Sequence, residues 1–316
     1  MENDKISIII SHFTGRLIDG CIRTLKNINA EKIVVTTDDT WVKPSNVKCL
    51  YLIPELNKPA FKRNQGAKLA QGEYLVFLDD DIEISYNCIN LMKWYLENHK
   101  DTGMVYATLY KMDNHYKIDT SGSFLSESGF LYETYEHRIE PKPVLAGKSA
   151  CCMIKKDIFN KIGGFDEDFV MYGEETDLSW RVWLAGYKVM VLPYTIAYHA
   201  FETSLKSRGY YNQYYIHYHG CKNYLTMLIK NLPVQRLYIV LINAFIWFIM
   251  GCFMWFKNRQ RAKWLFKGIW YNLRNFDYIW KKRQAIKRCN NNFFKHIYKN
   301  PPAAYYLKRF TDYLLH

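Results

Sequence analysis

The sequence has no pair of cysteines in the C-x-x-C spacing that is typical of zinc sites and dithiol redox sites. Its eight cysteines are scattered, and several stand inside apolar runs. We therefore predict buried, reduced thiols and no disulfide framework. The first residues also lack the apolar stretch and the small-residue cleavage site of an export signal. We expect the part of the chain that carries the chemistry to stay in the cytoplasm.

A glycine-rich phosphate loop is missing as well. After the first apolar run, Ile6 to Ile10, the sequence offers only the isolated Gly15 and Gly20, and it contains no G-x-x-x-x-G-K-[ST] motif. A nucleotidyltransferase acting on sugar phosphates would be expected to carry such a loop directly after its first strand. That class is therefore the weaker alternative for this chain.

Charge is not spread evenly along the sequence. From residue 257 to the end there are fifteen Lys and Arg against two Asp, whereas basic and acidic residues cancel before that point. The C-terminal tail therefore carries the whole net charge of +13. This change in composition marks a boundary near residue 256.

An apolar run, LYIVLINAFIWFIMGCFMWF, precedes this tail at 237–256, with Asn243 as its only strongly polar side chain. A helix of that length, at about 1.5 Å per residue, just spans a bilayer of roughly 30 Å. A single crossing would put the basic tail outside, against the positive-inside tendency, so we predict an in-plane or re-entrant helix with the tail on anionic headgroups. A core helix of a soluble domain is the alternative. Because the tail adjoins the apolar run, lipid is favoured over nucleic acid, and no nucleic-acid partner is predicted.

The first 200 residues alternate short apolar runs with segments of helical period. Helices are predicted at about 16–27, 60–70, 85–98 and 174–185, and strands at 6–10, 32–36, 48–53, 74–78, 104–108, 150–154 and 188–192. This alternation of strands and helices predicts an α/β fold with a mostly parallel sheet flanked by helices. In such folds ligands bind beyond the carboxyl ends of the strands. Residues 112–147, rich in Ser, Thr and Gly, show no sustained period and are predicted to form a surface excursion beside the site.

Three adjacent carboxylates follow the apolar run of "GEYLVFLDDD". Asp79, Asp80 and Asp81 would repel one another unless a cation or hydrogen-bond donors offset their charge. On an extended backbone Asp79 and Asp81 project to the same side, and hard carboxylate oxygens suit Mg²⁺ or Mn²⁺. The pattern therefore indicates a divalent metal, with a solvated loop or a helix cap as the alternative.

Two further pieces lie near other predicted strand ends. In "KIVVTTDDTW" a strand is followed by Asp38 and Asp39, which suit hydrogen bonding to a base or ribose, although a simple turn explains them equally well. In "FKRNQGAKLAQGEYLVFLDDD" Arg63 stands one helix before the acidic strand end. Taken alone, such an arginine is more often a surface charge than a ligand.

The last piece is "GGFDEDFVMYGEETDLSWRVWLAGYKV". Glu174 and Glu175 open a predicted helix, where the helix dipole favours carboxylates, so ordinary capping is an alternative to a catalytic role. Asp177 stands four residues before Arg181, so these two side chains could also form an intrahelical ion pair.

Together these pieces, over about residues 5 to 225, resemble glycosyltransferase family 2, inverting enzymes with a GT-A fold, in its membrane-associated type that builds bacterial and archaeal surface glycans. The resemblance implies a catalytic domain at 1–225 and a helical, basic, membrane-associated region at 226–316. It implies a metal site of Asp79, Asp81 and His199, and a base at Glu175, with Glu174 and Asp177 as alternatives. The residues that it implies for the nucleotide sugar are Ser11, Asp38, Asp39, Arg63, Asp79 and Asp80.

The implied reaction is a single displacement. A divalent ion, Mn²⁺ or Mg²⁺, stabilises the departing nucleoside diphosphate while a carboxylate takes the proton of an acceptor hydroxyl. We expect a nucleotide-diphosphate sugar as donor, transfer of a hexosyl or rhamnosyl group, and a lipid-linked or surface-glycan acceptor at the cytoplasmic face of the cell membrane. An inactive membrane-bound glycan-binding scaffold is the non-enzymatic alternative.

Overall fold

The structure is a computed structural model that describes residues 5–13, 15, 17–200, 215–289, 294–302 and 305. The predicted α/β architecture is confirmed. The strands are β1 Ile6–His12, β2 Glu31–Thr36, β3 Lys48–Tyr51, β4 Tyr74–Asp79, β5 Ile82–Ile84, β6 Thr102–Lys111, β7 Asn114–Thr120, β8 Ser123–Leu125, β9 Leu131–Glu133, β10 Lys142–Pro143, β11 Cys151–Lys155 and β12 Lys188–His199. The helices are α1 Leu17–Thr24, α2 Pro59–Leu69, α3 Cys88–Asn98, α4 Lys156–Lys161, α5 Glu174–Leu184, α6 Gly220–Asn231, α7 Tyr238–Lys257, α8 Arg259–Arg274, α9 Phe276–Ala285 and α10 Phe294–Ile297.

The main sheet runs in the order β10-β12-β6-β11-β4-β1-β2-β3, with β5 added to β12 and β7 added to β6. Strands β3, β2, β1 and β4 are parallel, as are β6 and β12, and β11 enters antiparallel between β4 and β6. The sheet is therefore mixed. Its parallel half brings the carboxyl ends of β1, β2 and β4 to one edge.

The central strands are apolar on both faces because helices cover both sides of the sheet. All seven residues of β1 are buried, and so are Leu75 to Leu78 of β4. Alternate residues belong to two separate hydrophobic clusters, with Ile9 and Phe77 in one and Ile8 and Val76 in the other. This two-sided burial explains the near-continuous apolar runs from which these strands were predicted.

The segment 112–147, for which no element was predicted, contains β7, β10 and the small β8–β9 hairpin. β8 and β9 pair in a two-stranded sheet, and β8 forms further single bridges, from Ser123 to Ala146 and from Leu125 to Tyr298. Hydroxyl groups bond to nearby backbone, as in the 3.0 Å bond from Oγ1 of Thr134 to the carbonyl oxygen of Gly122. Strands of two or three residues, such as β8, β9 and β10, are too short to show an alternation in the sequence, so periodicity could not reveal them.

The C-terminal helices pack against the same core as the sheet. Leu228 and Leu232 at the end of α6, together with Ile239 of α7, belong to the cluster that contains Phe77 of β4. Helix α7 confirms the helix predicted at 237–256, and α8 packs along it through Leu265 and Met254. The rest of the basic tail, at 290–293, 303–304 and 306–316, lies outside the described residues.

Among the described residues, one helical stretch, Val234–Lys257, is long and apolar enough to cross a membrane by length and composition. Only 28% of the most apolar 18-residue stretch of this helix is buried. Its exposed side includes Leu241, Phe245, Phe248, Phe253 and Phe256. A core helix would hide most of these side chains, so the face requires another explanation.

Candidate functional site

The acidic ends of the parallel strands form one polar edge of the sheet. Ser11 of β1 is in register with Asp79 of β4, and on its other side with Val35 of β2, three residues before Asp38. The hydroxyl of Ser11 is buried and has no hydrogen-bond partner among the residues that the structure describes. The parallel topology thus gathers the residues predicted for the nucleotide along one edge.

Asp80 lies beneath this edge, fully buried. Its Oδ2 accepts a hydrogen bond of 2.9 Å from the backbone N–H of Phe13 and lies 2.8 Å from Nδ1 of His12. The carbonyl oxygen of His12 in turn accepts a bond of 2.5 Å from the buried Lys62. These contacts fix the end of β1, so the structure shows Asp80 bonded to the protein itself.

Asp38 reaches the same network from β2. Its Oδ2 lies 3.7 Å from Nε2 of His12, and its Oδ1 accepts bonds from the hydroxyl and the backbone N–H of Thr40. The hydroxyl of Thr40 is the main reason that the pKa of Asp38 is lowered, with a smaller contribution from His12. Asp39 is exposed. Asp38 is therefore a pre-positioned anionic acceptor, and Asp39 is a surface residue beside it.

Arg63 links the acidic strand end to the helix that carries the predicted base. Its Nη2 donates to Oδ1 of Asp79 at 2.7 Å and its Nη1 donates to Oε1 of Glu174 at 3.1 Å. Burial alone would lower the pKa of Arg63, but Asp79 and then Glu174 outweigh it and raise the pKa. The guanidinium is thus permanently charged and holds both carboxylates in place.

The predicted base lies at the start of α5, after a left-handed turn. Tyr172 has φ 67° and Gly173 has φ 84°, conformations that are rare for a residue with a side chain. Glu175 is half-buried, and its pKa is raised to about 8, first by burial and then by the charge of Glu174. A carboxylate with a pKa near neutrality is suited to general-base catalysis.

Asp177, the third acid considered for the base, is enclosed by cations. Its Oδ2 bonds to Arg181 at 2.9 Å and its Oδ1 lies 2.9 Å from Nζ of Lys230 and accepts a bond from Asn231. Burial would raise its pKa, but Lys230 and Arg181 lower it. In the structure Asp177 is thus an ion-pair partner of Lys230 and Arg181.

The loop before α5 is held by lysines from the C-terminal helices. Lys230 of α6 pairs with Asp166, and Lys282 of α9 lies 2.6 Å from both Asp166 and Asp168. Burial would raise the pKa of Asp166, but these two lysines lower it well below its usual range. Ion pairs with the C-terminal helices therefore stabilise the loop that precedes Glu174 and Glu175.

Asp81 and His199 come together at the other side of the acidic strand end. Oδ1 of Asp81 lies 3.7 Å from Nε2 of His199, and Nδ1 of the same ring lies 2.8 Å from Oδ2 of Asp119. Lys148 bonds to that carboxylate oxygen at 2.9 Å. Burial would raise the pKa of Asp119, but His199 and Lys148 lower it to about 2, so Asp119 stays ionised and orients the ring.

This arrangement fits a divalent cation. In metal sites a ligating histidine usually donates its other ring N–H to a carboxylate, which is the geometry of Asp119 behind His199. No group of three or more His, Cys, Asp and Glu side chains is placed to hold a metal anywhere in the part of the chain that the structure describes. Mg²⁺ and similar ions commonly take only one or two carboxylates and complete their shell with substrate phosphates and water. Asp81 and His199 match that requirement.

Two residues of the site carried no predicted role. His12 is the last residue of β1, and Asp119 lies in the aperiodic segment 112–147. The partners of both are distant in sequence: Asp80 for His12, and His199 for Asp119. No local pattern could have found them.

Two curated proteins are similar to this chain in sequence. O-antigen biosynthesis protein RfbC of Myxococcus xanthus is 26% identical over 229 residues, which are 62% of this chain and 17% of that protein. Human polypeptide N-acetylgalactosaminyltransferase 14 is 24% identical over 226 residues, 62% of this chain and 40% of that protein. The chain thus spans well under half the length of these relatives.

Solved structures share the fold. GalNAc-T7, crystallised with UDP, GalNAc and Mn²⁺, has a TM-score of 0.54 at 14% identity, over 78% of this chain and 56% of that one. The mannosyltransferase PcManGT from Pyrobaculum calidifontis, in complex with GDP-Man and Mn²⁺, has a TM-score of 0.52 at 13% identity, over 99% of this chain and 81% of that one. These likenesses confirm the predicted GT-A fold.

The family described as glycosyltransferase like family 2 matches residues 51–244, more than half of the chain. The matched segment contains Arg63, the three adjacent aspartates, Glu174, Glu175 and His199. On this evidence the chain belongs to glycosyltransferase family 2.

Proposed function

We propose that this protein is an inverting glycosyltransferase that moves a hexosyl or rhamnosyl group from a nucleotide-diphosphate sugar to a hydroxyl group of a lipid-linked or membrane-proximal glycan. The observation that carries the proposal is the series Asp81, His199 and Asp119, in which an ionised carboxylate orients an imidazole toward a second carboxylate. The neighbours whose structures contain UDP and GDP-Man, both with Mn²⁺, support a nucleotide sugar and a divalent ion as its ligands.

Asp81 and His199 would hold the metal ion, with Asp119 fixing the ring of His199 and Lys148 holding Asp119 ionised. When bound, Mn²⁺ or Mg²⁺ supplies charge stabilisation for the departing diphosphate. Asp79, bound by Arg63, keeps that guanidinium at the same strand end. We assign Asp79 the role of orienting Arg63 toward the nucleotide sugar.

Glu175 is the proposed base. Its raised pKa lets it accept the proton of an acceptor hydroxyl near neutral pH as that oxygen attacks the anomeric carbon. Glu174 is held by Arg63 and contributes negative charge that keeps the pKa of Glu175 high. A single displacement of this kind inverts the configuration at the anomeric carbon.

The direct test is donor hydrolysis, since water can replace the unknown acceptor. We expect the purified protein with Mn²⁺ to release free sugar and nucleoside diphosphate from one class of nucleotide sugar in a panel that includes UDP, GDP and dTDP donors. Removal of the ion with a chelator should stop the release, and its return should restore it. A protein that binds and hydrolyses none of these donors would contradict the proposal.

The exposed face of α7 is proposed to lie on an anionic bilayer at the cytoplasmic side of the membrane. Leu241, Phe245 and Phe256 are 74%, 64% and 90% exposed. The next helix, α8, begins with a basic turn that carries Arg259 and Arg261. Apolar side chains beside a row of cations suit the interface between anionic headgroups and acyl chains.

We expect Phe245→Glu to reduce binding to vesicles of equal parts phosphatidylcholine and phosphatidylglycerol. Losing one buried phenylalanine costs about 1.5–3 kcal/mol, which is roughly a 10- to 100-fold weaker partition coefficient. Tyr116→Glu is the matched control, because Tyr116 is 90% exposed on β7. Co-sedimentation measures both variants, and an unchanged partition of Phe245→Glu would refute the lipid-facing assignment of α7.

A further inference from the structure

The β8–β9 hairpin begins and ends beside the proposed active site. The preceding strand, β7, contains Asp119, whose carboxylate contacts His199. At its base, the N–H of Ser121, two residues after Asp119, donates to the carbonyl oxygen of Thr134, the residue that follows β9, at 2.8 Å. The hairpin follows β7, which pairs with β6. Both ends of the hairpin therefore lie close to Asp119, which supports His199.

The tip of this hairpin is a closed turn that contacts α7. The N–H of Gly129 donates to the carbonyl oxygen of Ser126 at 2.9 Å, and the N–H of Phe130 donates to Oγ of Ser126 at 2.9 Å. Nδ2 of Asn243 donates to the carbonyl oxygen of Ser128 at 2.9 Å. The hydroxyl of Tyr224, on α6, bonds to the carbonyl oxygen of Gly129 and to Oδ1 of Asn243.

The contact is close as well as polar. Gly129 has φ +89°, and a Cβ atom at this position would lie 2.5 Å from Cγ2 of Ile239 and 3.1 Å from Nδ2 of Asn243. Asn243 is fully buried in an otherwise apolar helix. Burying an amide is unfavourable unless its hydrogen bonds are satisfied, and this side chain is satisfied by the hairpin, by Tyr224 and by its own helix.

The opposite side of α7 carries the apolar residues assigned to lipid. When a bilayer covers the exposed apolar side chains of α7, the folded position of this helix is stabilised. Local unfolding of the hairpin tip, which bonds to α7, then becomes less favourable as well. Asn243 joins the two sides, since it lies on the same helix and bonds to the hairpin tip.

We propose that docking of α7 on an anionic bilayer fixes the β8–β9 hairpin beside Asp119 and His199 through Asn243, so that this side of the site is ordered only when the enzyme is on its membrane. Asn243 is thus a positioning residue. The inference rests on the proposed function, because it takes His199 and Asp119 as part of the active site and the lipid surface as the partner of α7.

Hydrogen–deuterium exchange of the amides at 127–130 tests the proposal. Without vesicles, Asn243→Ala should speed exchange there about tenfold or more, because the turn loses its hydrogen bond to α7. The bond from the N–H of Ser123 to the carbonyl oxygen of Ala146, at 2.7 Å, does not involve Asn243 and should keep that amide of β8 protected. Vesicles of equal parts phosphatidylcholine and phosphatidylglycerol should slow exchange of the turn severalfold in the unmodified protein and not in Asn243→Ala.

Asn272→Ala is the matched control. Asn272 is also a buried asparagine on a C-terminal helix, and it bonds to the carbonyl oxygens of Lys222 and Gly268 and not to the hairpin. It should leave exchange of the turn unchanged. Gly129→Ala disturbs the same contact from the hairpin side and should reproduce the exchange pattern of Asn243→Ala, which keeps the test valid if one variant folds poorly.

Three results would overturn the inference: equal exchange of the turn in Asn243→Ala and the unmodified protein, equal loosening in Asn272→Ala, or no effect of bound vesicles on the unmodified protein. None of these measurements uses a nucleotide sugar. Failure of the coupling is therefore distinguishable from failure of the proposed transfer, which donor hydrolysis reports separately. If the protein hydrolyses a donor but bound vesicles leave amide exchange at 127–130 unchanged, the proposed function stands and only the proposed link between the membrane and the hairpin is wrong.

Discussion

Replacing Asp81 by asparagine should slow sugar release from the nucleotide donor about a thousandfold, the size of effect expected when the main stabiliser of a departing charge is lost. Asparagine keeps the shape of the side chain and removes the negative charge that would bind the cation. The measurement is the rate of donor hydrolysis as a function of Mn²⁺ concentration. We expect both the maximal rate and the apparent affinity for the ion to fall.

Asp113→Asn is the control for this experiment, since Asp113 is exposed. It should leave the rate and the manganese dependence unchanged. Asp119→Asn probes the support behind His199 and should weaken manganese binding about 10- to 100-fold while leaving residual turnover at high ion concentration. An Asp81→Asn protein with unaltered manganese dependence would show that the ion binds elsewhere.

Replacing Glu175 by glutamine should reduce kcat by about 10²- to 10⁴-fold, the usual contribution of a general base. The ionised carboxylate is the active form, and the pKa of Glu175 is raised to about 8. The rate of the unmodified enzyme should therefore be low in acid and rise with pH, reaching half of its plateau near pH 8. The dependence of kcat on pH measures this rise.

Glu174→Gln separates the two neighbouring glutamates. The substitution keeps an oxygen to accept the bond from Arg63 and removes a negative charge beside Glu175. Because that charge helps to raise the pKa of Glu175, its loss should move the rising limb to lower pH while activity is retained. If Glu175→Gln kept full transfer and Glu174→Gln abolished it, the base would be Glu174.

Most of the fold near the site follows from local sequence. Buried parallel strands need long apolar runs, and the run before Asp79 is one of them, so both the strand and its acidic end could be predicted. The start of α5 at Glu174 was also predictable, since Gly173 precedes a run with helical period that closes before Gly186. These signals lie within a few residues of the elements that they specify.

The rest of the site depends on contacts between distant segments. Asp79 and Asp81 alternate along the chain, and the sequence predicts that they share one cation. It gives no sign that Asp79 pairs with Arg63 and that Asp81 lies beside His199, as the structure shows. Which carboxylate receives the arginine is decided by where α2 packs on the sheet. The bond between Asp119 and His199 likewise depends on β7 pairing beside β6, which no local pattern encodes.

The lysines that brace the turn before α5 have a consequence for the integrity of the chain. Removing everything after residue 225 would withdraw Lys230 and Lys282 and leave Asp166 and Asp177 as buried anions with too few counter-ions. An uncompensated charge in that position typically costs about 3–5 kcal/mol, a large part of the stability of an ordinary domain. We therefore expect the part of the chain before residue 226 and the helices that follow it to unfold as one cooperative unit, and a chain without those helices to lose the ion pairs that hold the turn before α5.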